Sequence, residues 1–270
     1  MKVWVLGSGS RGNATVIDNG STRVLVDAGF SARELKRRLA AANIAPESVE
    51  AVIITHEHGD HACGAARAAR RWKWTVHATP GTVIGAPDLV TADVRTFEAG
   101  ATLTFGSMTV LTVPTSHDAT DPVAVVATDT ATGARAAVVM DLGRESPHLR
   151  SVLRDVEVLV LESNHDEAML ARGPYPISVQ RRIASVTGHL SNREAGAIAR
   201  GCAHSGLQHL VLAHLSEQCN TPDHALATAS AALARSRFRG HVTAAAQDTV
   251  RGAFVGSRAS GRAVQLALGF

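Results

Sequence analysis

Residues 55–61 read Thr55-His56-Glu57-His58-Gly59-Asp60-His61, and six of these seven can bond a proton or a metal ion. Neutral imidazoles and carboxylates are the donors that borderline divalent ions such as Zn²⁺ and Mn²⁺ accept. Isolated histidines are common, but three within six positions beside an aspartate point to a metal site rather than a polar loop. Gly59 is expected to let the backbone fold tightly enough for residues on either side of it to face one point. Three further candidate ligands stand singly, each after an apolar run. His117 follows Pro114-Thr115-Ser116, Asp141 follows Ala137–Met140, and His214 follows Leu210–Ala213. Open α/β sheets expose ligands to a crevice at the carboxyl ends of their strands. His77, His148, His204, His209, His224 and His241 lack such a setting and read as ordinary core or surface residues.

The elements that must carry these groups follow from periodicity and turn chemistry. Ala51-Val52-Ile53-Ile54 is short, apolar and β-branched, as a strand buried on both faces should be. Lys2–Leu6, Ala14–Asp18 and Arg23–Asp27 read as strands, the last two joined at Asn19-Gly20, a pair favoured in type I′ hairpins. Ser31 and Glu34 have capping-box spacing ahead of a helix to about Ala42. Asp60–Trp72 reads as one helix, with Cys63 as a small buried residue on it. Strands are expected at Thr75–Ala78, Val94–Phe97, Thr102–Phe105, Met108–Val113, Val123–Thr128, Ala136–Val139, Val156–Leu161, Leu210–Ala213 and Val242–Ala246. Helices dominate from Asn164 to Gly201 and again over Asp223–Ala234, and Val264–Leu268 alternates like an edge strand. Strands precede helices in two blocks, roughly 1–140 and 150–250. That order predicts a single α/β domain over residues 1–270, a four-layer αββα sandwich with two sheets face to face and helices outside.

Composition sets the class. The chain is 45% hydrophobic, 19% charged and 4% aromatic, which is globular rather than disordered. It holds no apolar run of roughly 18 residues, the length a membrane helix needs, so no membrane partner is expected. Val3–Leu6 is too short for the apolar centre of a signal peptide, and the expectation is a soluble cytoplasmic protein. Cys63, Cys202 and Cys219 are odd in number with no C-x-x-C spacing, as suits a reduced compartment. A formal charge of +3 is only mild support for an anionic partner. Lys2, Lys36 and Lys73 are the only lysines, so arginine supplies nearly all the positive charge.

His56-Glu57-His58-Gly59-Asp60-His61 matches H-x-H-x-D-H, and the chain resembles the metallo-β-lactamase superfamily of metal-dependent hydrolases. The resemblance implies two divalent metal ions, Zn or Mn. His56, His58 and His117 would bind the first, Asp60, His61 and His214 the second, and Asp141 would bridge them. Two cations about 4 Å apart repel, which a shared carboxylate and a shared hydroxide offset. That hydroxide would be the nucleophile at neutral pH, with Asp60 able to orient it. Glu57 is expected to face away and make structural contacts.

Two sets of residues narrow the branch. Gly188-His189-Leu190-Ser191-Asn192-Arg193-Glu194 is similar to the histidine motif that nucleases such as ribonuclease Z place before a helix. Ser191 and Glu194 can form a capping box, leaving His189 ahead of the helix N-terminus. There it could protonate a leaving alkoxide, or it could merely pack beside the cap. Leu6–Asn13, Leu161–Asp166 and Leu212–Ser216 resemble the YycJ (WalJ-like) branch, described as DNA exonucleases, and the similarity runs to about Asp248. Arg11 stands where that branch more often has Ser. Ser8, Ser10, Arg11 and Asn13 are candidate substrate-binding residues, although a plain tight turn explains the glycines among them equally well. Asn164 and His165 either reach the cleft or cap a helix.

The expected function is therefore a metal-dependent phosphodiesterase, a DNA exonuclease, with nucleic acid as its partner. Arg33, Arg37, Arg38, Arg70, Arg71, Arg181 and Arg182 are candidates to follow a phosphate backbone, against a default of solvated helix faces. The alternative is a small-molecule hydrolase, a lactonase, thioesterase or β-lactamase, for which the His189 stretch has no evident use. A scaffold that kept the fold and lost the chemistry should have lost ligands, and all seven are present. A redox di-iron role is disfavoured because such relatives carry a carboxylate where His58 stands.

Overall fold

The interior strands are apolar over most of their length because they face a packed layer on both sides, and their residues sort by size and shape. In Val158–Glu162, Val158 and Val160 point into the space between two sheets, whereas Leu159 and Leu161 point outward under helices. The same alternation places Ala51 and Ile53 inside and Val52 and Ile54 outside. Each fully buried aliphatic side chain of this kind contributes roughly 1.5–3 kcal/mol, so three such clusters hold four layers together.

The computed structural model describes residues 1–258. The first sheet takes β1 (Lys2–Gly7), β2 (Ala14–Asp18), β3 (Arg23–Val26), β4 (Ala51–Ile53), β5 (Thr75–Ala78) and β6 (Asp93–Thr96) in sequential order. The second takes β7 (Thr102–Phe105), β8 (Met108–Pro114), β9 (Val123–Asp129), β10 (Arg135–Val139), β11 (Val158–Glu162), β12 (His209–Ala213) and β13 (His241–Ala244), also sequentially. β14 (Arg251–Val255) returns to the first sheet and pairs antiparallel with β1. Both sheets are mixed, with β3 to β6 parallel in one and β10 to β13 parallel in the other. On the outer faces, α1 (Ala32–Ala41) and α3 (Ala65–Trp72) cover the first sheet. α5 (Pro147–Val152), α8 (Asn192–Cys202) and α9 (Pro222–Leu233) cover the second, and the short helices α4 (Pro80–Gly85), α6 (Glu167–Ala171) and α7 (Ile177–Ile183) lie in the connections. The four layers are as expected. Among the described residues no helix is long and apolar enough to cross a membrane.

Several local expectations change. The division between sheets falls between β6 and β7, near residue 100 rather than 140, and the chain's last described strand goes back across it. The predicted helix over Asp60–Trp72 is two helices, α2 (Gly59–Ala62) and α3, broken at Cys63-Gly64. Gly64 causes the break. Its N–H donates to Ala28 O at 2.9 Å, and a Cβ there would stand 1.8 Å from Phe30 O. Cys63, expected to be buried, is exposed at this break.

The β2–β3 connection has four residues, because Asp18 pairs with Arg23 and Asn19 takes no left-handed conformation. Asn19 Oδ1 instead accepts from the N–H groups of Ser21 and Thr22, at 3.2 and 2.9 Å. Ser31 caps α1 by accepting from Glu34 N–H, but the Glu34 carboxylate turns to Arg37 and Arg38, so the box is half made. The full box forms at Ser191 and Glu194, at the start of α8. The expected strand Val264–Leu268 lies outside the described residues.

Candidate metal centre

Five strands that end at this edge of the two sheets deliver a polar group. β3 ends in Asp27, β4 in the stretch carrying His56 and His58, β10 in Asp141, β11 in Glu162 and β12 in His214. Asp27, Asp141 and His214 all adopt the left-handed region, with φ of 62°, 53° and 53°. That conformation breaks the strand's alternation at a cost of order 1 kcal/mol per residue, and such strain collects where function over-determines the backbone.

The seven predicted ligands converge. Donor atoms of His56, His58 and His117 lie within 4.8 Å of one another, as do those of Asp60, His61 and His214. Asp141 belongs to both halves, since its carboxylate shares one cluster with His56 and His61 and another with Glu162, His189 and His214. His58 Nδ1 and His117 Nε2 are 3.3 Å apart, and His214 Nε2 is 3.2 Å from Asp60 Oδ2.

The donor set fits divalent cations. His56 Nε2 and Asp141 Oδ2 are fully buried without hydrogen-bond partners. His61 Nδ1 lies 2.7 Å from Asp27 Oδ2, which places its proton on that side, so Nε2 turns a lone pair toward Asp141 Oδ2, also 2.7 Å away. Two lone pairs facing each other need positive charge nearby, supplied by a proton or a metal ion. Without metal the protein holds protons there. Burial opposes charge on His61, but Asp141 and Asp27 outweigh it and raise its pKa well above the usual value. Against the same burial, Asp141, Asp60 and Glu162 raise His214 to about 9. His56 goes the other way: burial, reinforced by charge on His61, pushes its pKa well down and leaves it a neutral donor.

Neighbours fix the ligands in place. Ser8 Oγ accepts from His214 N–H at 2.8 Å and donates to Asn13 Oδ1 at 3.0 Å. Asn13 Nδ2 reaches Asp60 Oδ2 at 3.2 Å, and Asn164 Nδ2 donates to His214 O at 3.0 Å. His117 Nδ1 donates to Gly188 O at 3.1 Å. Gly29 packs against the Asp60 carbonyl so closely that a Cβ there would meet it at 1.7 Å.

His189 stands at the rim of this cluster. Its Nδ1 lies 2.7 Å from Glu162 Oε1 and 3.3 Å from Asp141 Oδ1, and its ring stacks on His214 with centroids 5.4 Å apart. Burial opposes its charge, yet Glu162 and Asp141 push its pKa up to about 11. Glu162, buried and likewise opposed by burial, is drawn down to about 2 by His189. The cleft is a cavity of about 170 Å³ whose lining includes Ser10, His58, Asp60, His117, Arg182, His189 and His214.

The substrate-binding candidates therefore separate. Ser10 faces the cleft, whereas Ser8, Asn13 and Asn164 are buried and hold other residues in place. The Arg11 guanidinium is bound to Glu217 and Asp248, at 2.8 and 2.7 Å, tying the first loop to two later ones. His165 is buried beside a different cavity. Among the arginines considered, Arg38 is buried and structural, donating to Leu6 O and Gln247 O at 2.8 Å. Glu57 makes the expected structural contact, accepting from the N–H and hydroxyl of Thr120. Two residues were not anticipated, Asp27 behind His61 and Glu162 behind His189. Their available signal was a carboxylate directly after a buried strand, the same signal that marked Asp141.

The sequence profile of the metallo-beta-lactamase superfamily matches residues 7–177, and the chain belongs to that superfamily of hydrolases. Its similarity is closer to one branch. The chain is 32% identical over 238 residues to exodeoxyribonuclease YycJ of Bacillus anthracis, covering 87% of this chain and 89% of that one. It is 30% identical over 229 residues to exodeoxyribonuclease WalJ of Streptococcus pneumoniae serotype 2, covering 81% and 83%. In backbone it resembles the metallo-beta-lactamase fold protein YhfI of Bacillus subtilis, with a TM-score of 0.69 at 19% identity over 93% of this chain and 99% of that one. Human tRNase Z, short form, gives 0.66 at 15% identity over 94% and 100%.

Proposed function

We propose that the protein is a metal-dependent phosphodiesterase that hydrolyses DNA from an end. The observation that carries this reading is the His189–Glu162 pair at the mouth of the metal cleft. Glu162 takes one ring nitrogen and favours the imidazolium, so the other nitrogen is available to give its proton to a departing alkoxide. The leaving group of a phosphodiester needs that proton. The two exodeoxyribonuclease relatives support DNA as the polymer.

His56, His58 and His117 would hold one divalent ion and Asp60, His61 and His214 a second, with Asp141 between them. When bound, such ions supply positive charge that polarises a phosphoryl oxygen and acidifies water. The chain's own residues do the rest. Asp60 is positioned by Asn13 and by the close approach that Gly29 permits, and can accept a hydrogen bond from an attacking water. Arg182, on the lining, can pair with a phosphate oxygen once it exchanges Asp118, now 2.9 Å away.

The test is incubation of purified protein with end-labelled single- and double-stranded DNA and RNA, with Mn²⁺ or Zn²⁺, beside His61→Ala. Stepwise shortening of DNA by the wild type alone is expected. Turnover of a lactone or thioester with no polymer shortened would replace this reading with the small-molecule one.

A further inference from the structure

A face of arginines leads outward from the metal cleft. Arg182 lines the cleft itself. Its neighbour on α7 (Ile177–Ile183), Arg181, lines a second cavity of about 380 Å³ together with His165, Arg193, Glu167 and Glu194. Arg193 also lines an open depression of about 590 Å³, shared with Arg150, Arg154 and Arg200. Arg193 and Arg200 are seven positions apart on α8, hence on one side of the helix and about 10 Å apart along it.

Three features distinguish this surface from ordinary solvated helix faces. Arg181, Arg154 and Arg200 have no acidic partner within 4 Å among the described residues, while Arg193 and Arg150 each hold one, Glu167 and Glu145. α7 buries none of its side chains, so it contributes surface rather than core. His165 is only 2% exposed, yet its Nδ1 has no hydrogen-bond partner. An unpaired guanidinium presents a planar fork of donors that suits phosphate oxygens. Arg150, Arg154 and Arg200 do not line the cleft, so a small substrate held there would not need them.

We propose that the face from Arg182 through Arg181 and Arg193 to Arg154 and Arg200 carries the phosphodiester backbone of the single strand whose end lies in the metal cleft. This rests on the nuclease reading and adds to it a path for the strand. Residues at the far end of the path act only on substrates long enough to reach them, and each phosphate they neutralise releases condensed counterion.

The test is Arg154→Ala with Arg200→Ala, both exposed, assayed as metal-loaded full-length protein on a long single-stranded DNA and on a dinucleotide across a salt series. The ratio of kcat/KM on the long strand to that on the dinucleotide is expected to fall about tenfold or more. The slope of log kcat/KM against log salt on the long strand should shrink by roughly 1.4, for two lost contacts to a single strand. Arg154→Lys with Arg200→Lys should restore most of both. If the wild type degrades DNA and the alanine variant keeps its length preference and salt slope, the strand does not follow this face and the nuclease reading survives. If the wild type neither binds nor shortens any strand, both proposals fall together.

Discussion

Asp27 Oδ2 lies 2.7 Å from His61 Nδ1, and both side chains are shut away from solvent. The other Asp27 oxygen accepts from the N–H and hydroxyl of Thr55, at 2.8 and 2.9 Å. One carboxylate thus ties the start of the histidine motif to its end. It also decides which nitrogen of His61 faces Asp141 and the other candidate ligands, because a proton on Nδ1 leaves a lone pair on Nε2. Asp27→Asn would set an amide donor against that N–H and favour the opposite tautomer. Metal affinity is expected to fall about 10- to 100-fold, the usual effect of losing such an outer partner. Competition against a chromophoric chelator would measure it, and an unchanged affinity would remove Asp27 from the site.

Glu162 and His189 make the same kind of pair, 2.7 Å apart at the rim of the cluster. If His189 protonates the leaving oxygen, His189→Gln should lower kcat on DNA by about 10²–10⁴. The loss should be much smaller on a 4-nitrophenyl phosphodiester, whose leaving group departs without a proton. Equal losses on the two substrates would instead mean that His189 positions the substrate or shapes the site.

Metal should also stabilise the fold, because its ligands come from strand ends in both sheets. At a free concentration about 100 times the dissociation constant, one bound ion adds roughly 2.7 kcal/mol. For a chain of this length each kcal/mol raises Tm by about 2–4 °C. Calorimetry with and without chelator is expected to show a shift of at least about 5 °C, which His61→Ala should largely abolish. A chelator-insensitive Tm would contradict a buried divalent site.

Away from the site, Glu34 binds Arg38, which ties α1 to Leu6 in β1 and to Gln247 in the loop before β14. Hydrogen bonds from Arg37 and then Arg38 outweigh desolvation and hold its pKa at about 2, against 4.5 in the unfolded chain. A depressed carboxyl contributes stability that is fully present above pH 4.5 and is lost as pH falls toward 2. The side chain is about a third exposed, so the contribution at pH 7 is discounted to about 1–2 kcal/mol. Urea unfolding of Glu34→Gln beside the wild type should show that gap at pH 7 and its narrowing below pH 4.5. A gap independent of pH would assign the effect to packing.

What could be read from sequence was whatever the residue type and a strand's end sufficed to announce. His117, Asp141 and His214 follow apolar runs and all reach the cluster. Asp27 and Glu162 follow apolar runs too, yet a carboxylate that orients an imidazole looks no different in sequence from one that ends a strand. The first loop misled in the opposite direction. Ser8 and Asn13 have the side chains of a phosphate cradle, but they are spent on His214 N–H and Asp60, residues 206 and 47 positions away. Arg181 and Arg182 are adjacent and identical in type, and only the position of α7 against the cleft assigns them to different cavities. Partners so distant along the chain leave no periodic trace.

The backbone role that sequence assigns to Gly59 belongs to Gly29 instead. Gly59 lies within the histidine cluster, but a Cβ there would meet nothing within 4 Å and its φ is not in the left-handed region. Gly29, some thirty positions earlier, sits where a Cβ would be 1.7 Å from Asp60 O and 2.8 Å from Asn13 N. The motif is folded by close approach of the Gly29 backbone, not by freedom at Gly59. Gly59→Ala should therefore be neutral or stabilising by up to about 1 kcal/mol, since it restricts the unfolded chain at no native cost. Gly29→Ala must displace Asp60, and a loss of about 2 kcal/mol or more is expected together with reduced metal content. Thermal melting and metal stoichiometry of the two variants, measured side by side, separate the cases. A Gly59→Ala protein as impaired as Gly29→Ala would mean that the histidine loop needs a backbone freedom this structure does not use.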